Sequence, residues 1–185
     1  MHVRARHTRH PSIRHRIRAL ALALLLPWAA GAIAQDYAYA WDPRSGDPWV
    51  DAQLGDINDY GRRHRAPFID ELVRYRGAPR ELVTELLAER GWAPGDVYFA
   101  CSIAQVIGRS CRYVVGEWDR NHGEGWGALA ARLGVAPGSE AFLRLKQGVV
   151  SSYQHWARPL EPDAELRKAA PAAEADGAKQ PAGAG

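Results

Sequence analysis

The sequence predicts an all-α fold, a compact bundle of about six or seven short helices. Three observations carry that expectation. Between Trp49 and Gly148 the apolar residues recur at spacings of three and four, the period of one helix face. Gly or Pro punctuates the pattern at intervals of about 12 to 17 residues, which are ordinary helix lengths. No run of alternating apolar and polar residues marks a strand.

A first helix is expected from Pro48, capped by Asp47, to about Tyr60, with Trp49, Leu54 and Ile57 inward. PFIDELVRYRG follows, with Pro67 at its start, Gly77 as its stop, and Ile69, Leu72 and Val73 on one face. PRELVTELLAERG repeats the device, Pro79 at the first position and Gly91 at the end, and buries Leu82, Val83, Leu86 and Leu87. Asp96 is expected to cap VYFACSIAQVIG, whose stripe is Val97, Ala100, Cys101, Ala104 and Ile107. Ser110 caps CRYVVGEWDRNHG, where Cys111, Val114, Val115 and Trp118 fall at i, i+3, i+4 and i+7. Trp126, Leu129, Ala130 and Leu133 repeat that spacing and form, with Gly134, a core motif. Ser139 caps a last helix carrying Phe142 and Leu145.

The chain opens with a targeting signal. Residues 1–34 hold six arginines, four histidines and no acid, and run into the apolar stretch Ala19 to Ala34, ending in the small-x-small triplet Ala32-Ile33-Ala34. A cleaved signal peptide (1–34) is expected, with cut after Ala34 and release to the periplasm or outside the cell. The stretch is too short for a membrane span and Pro27 interrupts it, so no stable span is expected after cleavage. Residues 35–47 read as a flexible segment, 48–158 as the helical domain, and 159–185, rich in Ala, Pro and Gly, as a disordered tail.

Removing the leader reverses the charge. Beyond residue 34 lie all 21 acids but 18 of the 24 bases, a formal net charge of −3, so the broad positive field that nucleic-acid binding needs is lacking. Ala130 and Gly134 do imitate the closely packed first helix of a DNA-reading helix-turn-helix. The unit fails further on, because the turn Val135 to Gly138 contains Pro137 and Glu140 stands where an apolar packing residue belongs. No nucleic-acid partner is expected.

The candidate chemistry is sparse. Cys101 and Cys111, two cysteines in an exported chain, are either a disulfide or two buried thiols; a straight helical hairpin would hold them too far apart, and a wide crossing would join them. His64, His122 and His155 sit in separate connections with no ligand at i+3 or i+4, and DINDYG breaks the calcium-loop pattern at Pro67, so no metal or cofactor is expected. HGEGWG lacks the strand and the Lys of a phosphate loop. Trp41, Trp92 and Trp156 fall in or near connections and are candidates for a partner surface.

GDVYFACSIAQVIGRSCRYVV together with GEGWGALAARLGVAPGSEAFLRLKQG resembles a group of uncharacterised exported bacterial proteins that share a GWG-x-x-A-x-x-LG-x-x-PGS-x-x-F segment. The resemblance covers roughly residues 68–148 and implies a helical fold and export, with no activity or catalytic residue to carry over. With no nucleophile-base pair in view, the expected function is a non-catalytic binding or accessory module whose partner is an envelope protein or glycan. The alternatives are a hydrolase-like enzyme of envelope polymers, using acids such as Glu117 and Glu124, and a structural or stress protein of the envelope.

Overall fold

A computed structural model describes residues 41–170; the expected leader, residues 35–40 and the tail beyond Ala170 lie outside them. Trp41 closes a first unit, Met1–Trp41, and all else described belongs to a second, Asp42–Gly185. The described residues form eight α-helices and one 3-10 turn, with no strand. In chain order these are α1 (Pro48–Arg63), α2 (Arg65–Arg76), α3 (Arg80–Ala88), α4 (Pro94–Val106), α5 (Cys111–Asn121), the turn His122–Glu124, α6 (Trp126–Arg132), α7 (Glu140–His155) and α8 (Ala164–Ala169). None is long and apolar enough to cross a membrane.

α4 is the axis of the fold: α1, α2, α3, α5 and α7 all pack against it. A helix surrounded on every side must be apolar on every side, and every residue from Pro94 to Ala104 is buried. α1 crosses it closely because Gly61 has no side chain; a Cβ there would sit 2.5 Å from Cβ of Pro94. Asp96 does not cap this helix as expected. Pro94, with its φ already set for a first helical position, starts it earlier, so Asp96 lies in the first turn and accepts the indole N–H of Trp126 at 2.7 Å.

Other starts and stops follow the sequence closely. Asp47 accepts from the Val50 amide at 2.9 Å, and Ser110 and Ser139 accept from the amides of Tyr113 and Phe142. α2 begins two residues before Pro67, which is tolerated because the first turn has no intrahelical acceptor for its amides. Gly77 ends it in the left-handed region at φ 63°.

The GWG segment has a packing role. Trp126 is buried, lies flat on Trp118 with ring centroids 3.8 Å apart, and meets Phe99 edge-on at 5.5 Å. Gly127 donates its amide to the Arg44 carbonyl at 2.8 Å; a Cβ there would lie 2.8 Å from that same oxygen. The expected flexible segment is therefore held over Asp42 to Asp47, where Ser45 is buried and its amide bonds to Asp51. Gly134 corrects the close-approach reading of the core motif. Nothing lies within 4 Å of a Cβ built on it, and it is needed because φ is +82° where the Val135 amide returns to the Ala130 carbonyl.

Cys101 and Cys111 are joined in a disulfide, their Cα atoms 4.5 Å apart, linking the last turns of α4 to the first residue of α5. Such a bond fits an oxidising compartment.

The boundary of the expected disordered tail moves. Residues 159–170 are ordered and end in α8, whose Leu166 is buried. Lys146 of α7 explains it. Its side chain is buried, and its ammonium donates to Asp163, to Glu165 at 2.9 Å and to Asp47 at 3.1 Å. Burial disfavours the charged ammonium, but the bonds to Asp163, Glu165 and Asp47 outweigh it and hold its pKa above the ordinary 10.5. Trp49, expected inward, lies under the same ammonium at 5.4 Å and donates its N–H to the Glu161 carbonyl at 2.9 Å.

Candidate binding cleft

One face of α7 carries Arg144, Gly148, Ser151, Ser152 and His155, spaced as the turns of a helix require. Opposite it, α2 supplies Asp70, Glu71, Arg74, Tyr75 and Arg76, and α4 supplies Tyr98 and Gln105. Between these helices lie two adjoining cavities. The larger, about 440 Å³, is lined by Glu71, Tyr75, Arg76, Gln105, Val106, Arg144, Gly148, Ser151 and His155. The other, about 390 Å³, is lined by Ala66, Pro67, Asp70, Glu71, Arg74, Tyr75, His155 and Trp156. Tyr75 and His155 border both, stacked with ring centroids 3.7 Å apart.

Beneath that stack runs a network of buried polar groups. Glu71 is 3% exposed; one carboxylate oxygen accepts from the Ser152 hydroxyl at 2.6 Å, and the other lies 3.0 Å from Nδ1 of His155. Because a carboxylate only accepts, Nδ1 is the nitrogen that carries the proton. Ser152 accepts in turn from Nη2 of Arg76 at 2.8 Å, so a single hydroxyl links the carboxylate to the guanidinium. Tyr98 accepts from the same Nη2 at 2.6 Å and lies 2.8 Å from Ser152; burial, the dominant influence, holds its phenol above the ordinary 10.0.

Arg76 is pinned further by Gln105 at 2.5 Å and by the Gly148 carbonyl at 2.7 Å. The latter contact needs glycine, since a Cβ at position 148 would lie 2.8 Å from Nη1 of Arg76. Gln105 also donates to the Tyr75 carbonyl at 2.7 Å, which fixes the end of α2. Glu71 and the Arg76 Nη groups are thus pre-arranged before any ligand arrives, while Nε of Arg76 has no hydrogen-bond partner among the described residues.

Sequence reasoning placed His155 in a connection; it is the last residue of α7, one turn from Ser152. It missed Glu71, Arg76 and Ser152 as a group because they are 5 and 76 positions apart along the chain and meet only across helices. The available signal was Glu71 itself, an acid standing between Phe68 and Leu72 on an apolar stripe. Of the three candidate surface tryptophans, Trp156 lines the smaller cavity, packed on Tyr60 at 4.5 Å, whereas Trp92 lies under the Arg90 guanidinium and borders neither cavity; Trp41 is partly buried.

Other candidates are occupied by neighbours. Glu117 pairs with Arg120 and Glu124 with Arg132, each at 2.5 Å. Asp56 of DINDYG binds the Arg158 guanidinium through both oxygens, which lowers its pKa, and also accepts from Tyr153. Asp47, Asp163 and Glu165 have the spacing of a cation site, and the Lys146 ammonium bonds to all three. No protein-family model, no curated protein and no solved structure matches this chain.

Proposed function

We propose that this chain is an exported binding or accessory module, periplasmic or secreted after cleavage following Ala34, and that the cleft between α2, α4 and α7 is its ligand face. The carrying observation is the Tyr75–His155 stack, seated on a hydrogen-bonded network and bordering both cavities. Concave sites with a few pre-set polar groups and an aromatic wall bind ligands with little ordering cost.

The network favours binding over catalysis for a physical reason. The Ser152 proton is directed at the Glu71 carboxylate, and Ser151 donates to the Gln147 carbonyl at 3.1 Å, so both nearby hydroxyls spend their protons away from the imidazole. The disulfide supports export, as does the basic-then-apolar start of the chain.

The test is in-cell crosslinking of the tagged protein, exported by its own leader, with mass spectrometry of captured envelope protein and glycan. One dominant partner, lost in Tyr75→Ala and kept in Arg112→Ala, is expected. No partner above background, or one indifferent to Tyr75→Ala, overturns the reading.

A further inference from the structure

We infer that the cleft takes an anionic ligand, one bearing a carboxylate or phosphate group, which binds beside Tyr75 between Arg74 and Arg144. The inference rests on the binding-module reading and adds its ligand class.

The charges bordering the cleft do not balance. Two acids border it, and each already faces a cation or hydrogen-bond donor of the fold. Glu71 is buried and committed to Ser152 and His155. Asp70 is bonded to Arg80, whose guanidinium is the main cause of its lowered pKa. Within the network Arg76 offsets Glu71 through Ser152, so that pair leaves no surplus charge of its own.

The cations that remain are accessible. Arg74 is exposed; it adds to the lowering of the Asp70 pKa from one turn away, but among the described residues no carboxylate oxygen lies within 4.0 Å of it. Among the described residues Arg144 pairs with Glu140 alone, one turn away on its own helix and 87% exposed. An exposed i, i+4 pair of this kind is worth only a few tenths of a kcal/mol, so an incoming anion displaces Glu140 at small cost. Arg74 borders one cavity and Arg144 the other, with the Tyr75–His155 stack between them.

Long-range steering does not explain this basic pair, because the chain beyond residue 34 carries net −3. The attraction is local, where guanidinium groups match the planar or trigonal oxygens of carboxylate and phosphate. Tyr75, 45% exposed, adds an aromatic surface for the body of the ligand.

The experiment is a two-dimensional NMR titration of the full chain, disulfide intact and ionic strength constant, with inorganic phosphate, glucuronate and neutral glucose in separate arms. Saturable shifts at Arg74, Tyr75, Ser151 and His155 with either anion are expected. Arg74→Gln and Arg144→Gln should each weaken binding about tenfold, and Arg112→Gln should leave it unchanged. Preference for phosphate or for glucuronate assigns the source of the charge. Saturation by glucose equal to that by glucuronate overturns the anionic class while keeping the cleft as a binding site. No saturable shift in any arm also overturns it, and the crosslinking result then judges the module reading independently.

Discussion

The Glu71 carboxylate, buried under α7, lies 3.0 Å from Nδ1 of His155 and thereby decides which nitrogen of an otherwise accessible imidazole bears the proton. With Nδ1–H committed to Glu71, the lone pair of the neutral ring resides on Nε2.

That relationship predicts a spectroscopic result. Nitrogen-15 chemical shifts of neutral His155 should report the Nδ1–H tautomer, and Glu71→Leu should abolish that preference. An unchanged tautomer in Glu71→Leu would show that the Tyr75 stack, not the carboxylate, orients the ring.

Lys146 should prove to be the fastener of the C-terminal arm. Lys146→Met leaves Asp47, Asp163 and Glu165 facing one another without their cation, and the loss expected is about 2 kcal/mol, below that of a fully buried pair because the carboxylates keep some water. Limited trypsin digestion should then cut first at Arg167 and Lys168, ahead of sites in α1 to α7. Digestion spread evenly over the chain would refute a local role.

Stability should fall in acid for identifiable reasons. Asp56 is held below the ordinary 3.8 by Arg158; Asp163 is pushed up by burial, but the Leu166 amide and Lys146 outweigh this and lower it. A carboxylate with a depressed folded pKa stabilises the fold above its unfolded value and loses that contribution as pH falls through the folded one. Thermal melts should therefore be level above about pH 5 and decline below about pH 4, with Asp56→Asn and Asp163→Asn each less stable at pH 7 and each showing a shallower decline.

Gly127 should be intolerant of a methyl group. Gly127→Ala drives a Cβ into the carbonyls of Arg44 and Ser45, backbone atoms that yield only by moving the whole segment, at a cost of about 1–3 kcal/mol. Gly123→Ala meets nothing within 4 Å and serves as the control. Hydrogen exchange at the Gly127 amide should accelerate in the first variant alone.

The local physics of the chain was enough to determine its helical class and most helix ends. Capping by Asp47, Ser110 and Ser139, the stop at Gly77 and the buried set Leu82, Val83, Leu86 and Leu87 all depend on neighbours within one or two turns, and all stand as the sequence implied. What depends on distant neighbours was not readable. The spacing of Cys101 and Cys111 left the disulfide open because the crossing of α4 and α5 decides it. Composition made residues 159–170 look unstructured, since two leucines and three acids are too little to fold alone; they are ordered because Lys146, on another helix, is buried where Asp163 and Glu165 can reach it. The cleft is the extreme case. Glu71, Arg76 and Ser152 each look ordinary in sequence, and only helix packing sets a carboxylate, a guanidinium and a hydroxyl within hydrogen-bonding distance, where low solvent access makes their mutual satisfaction obligatory.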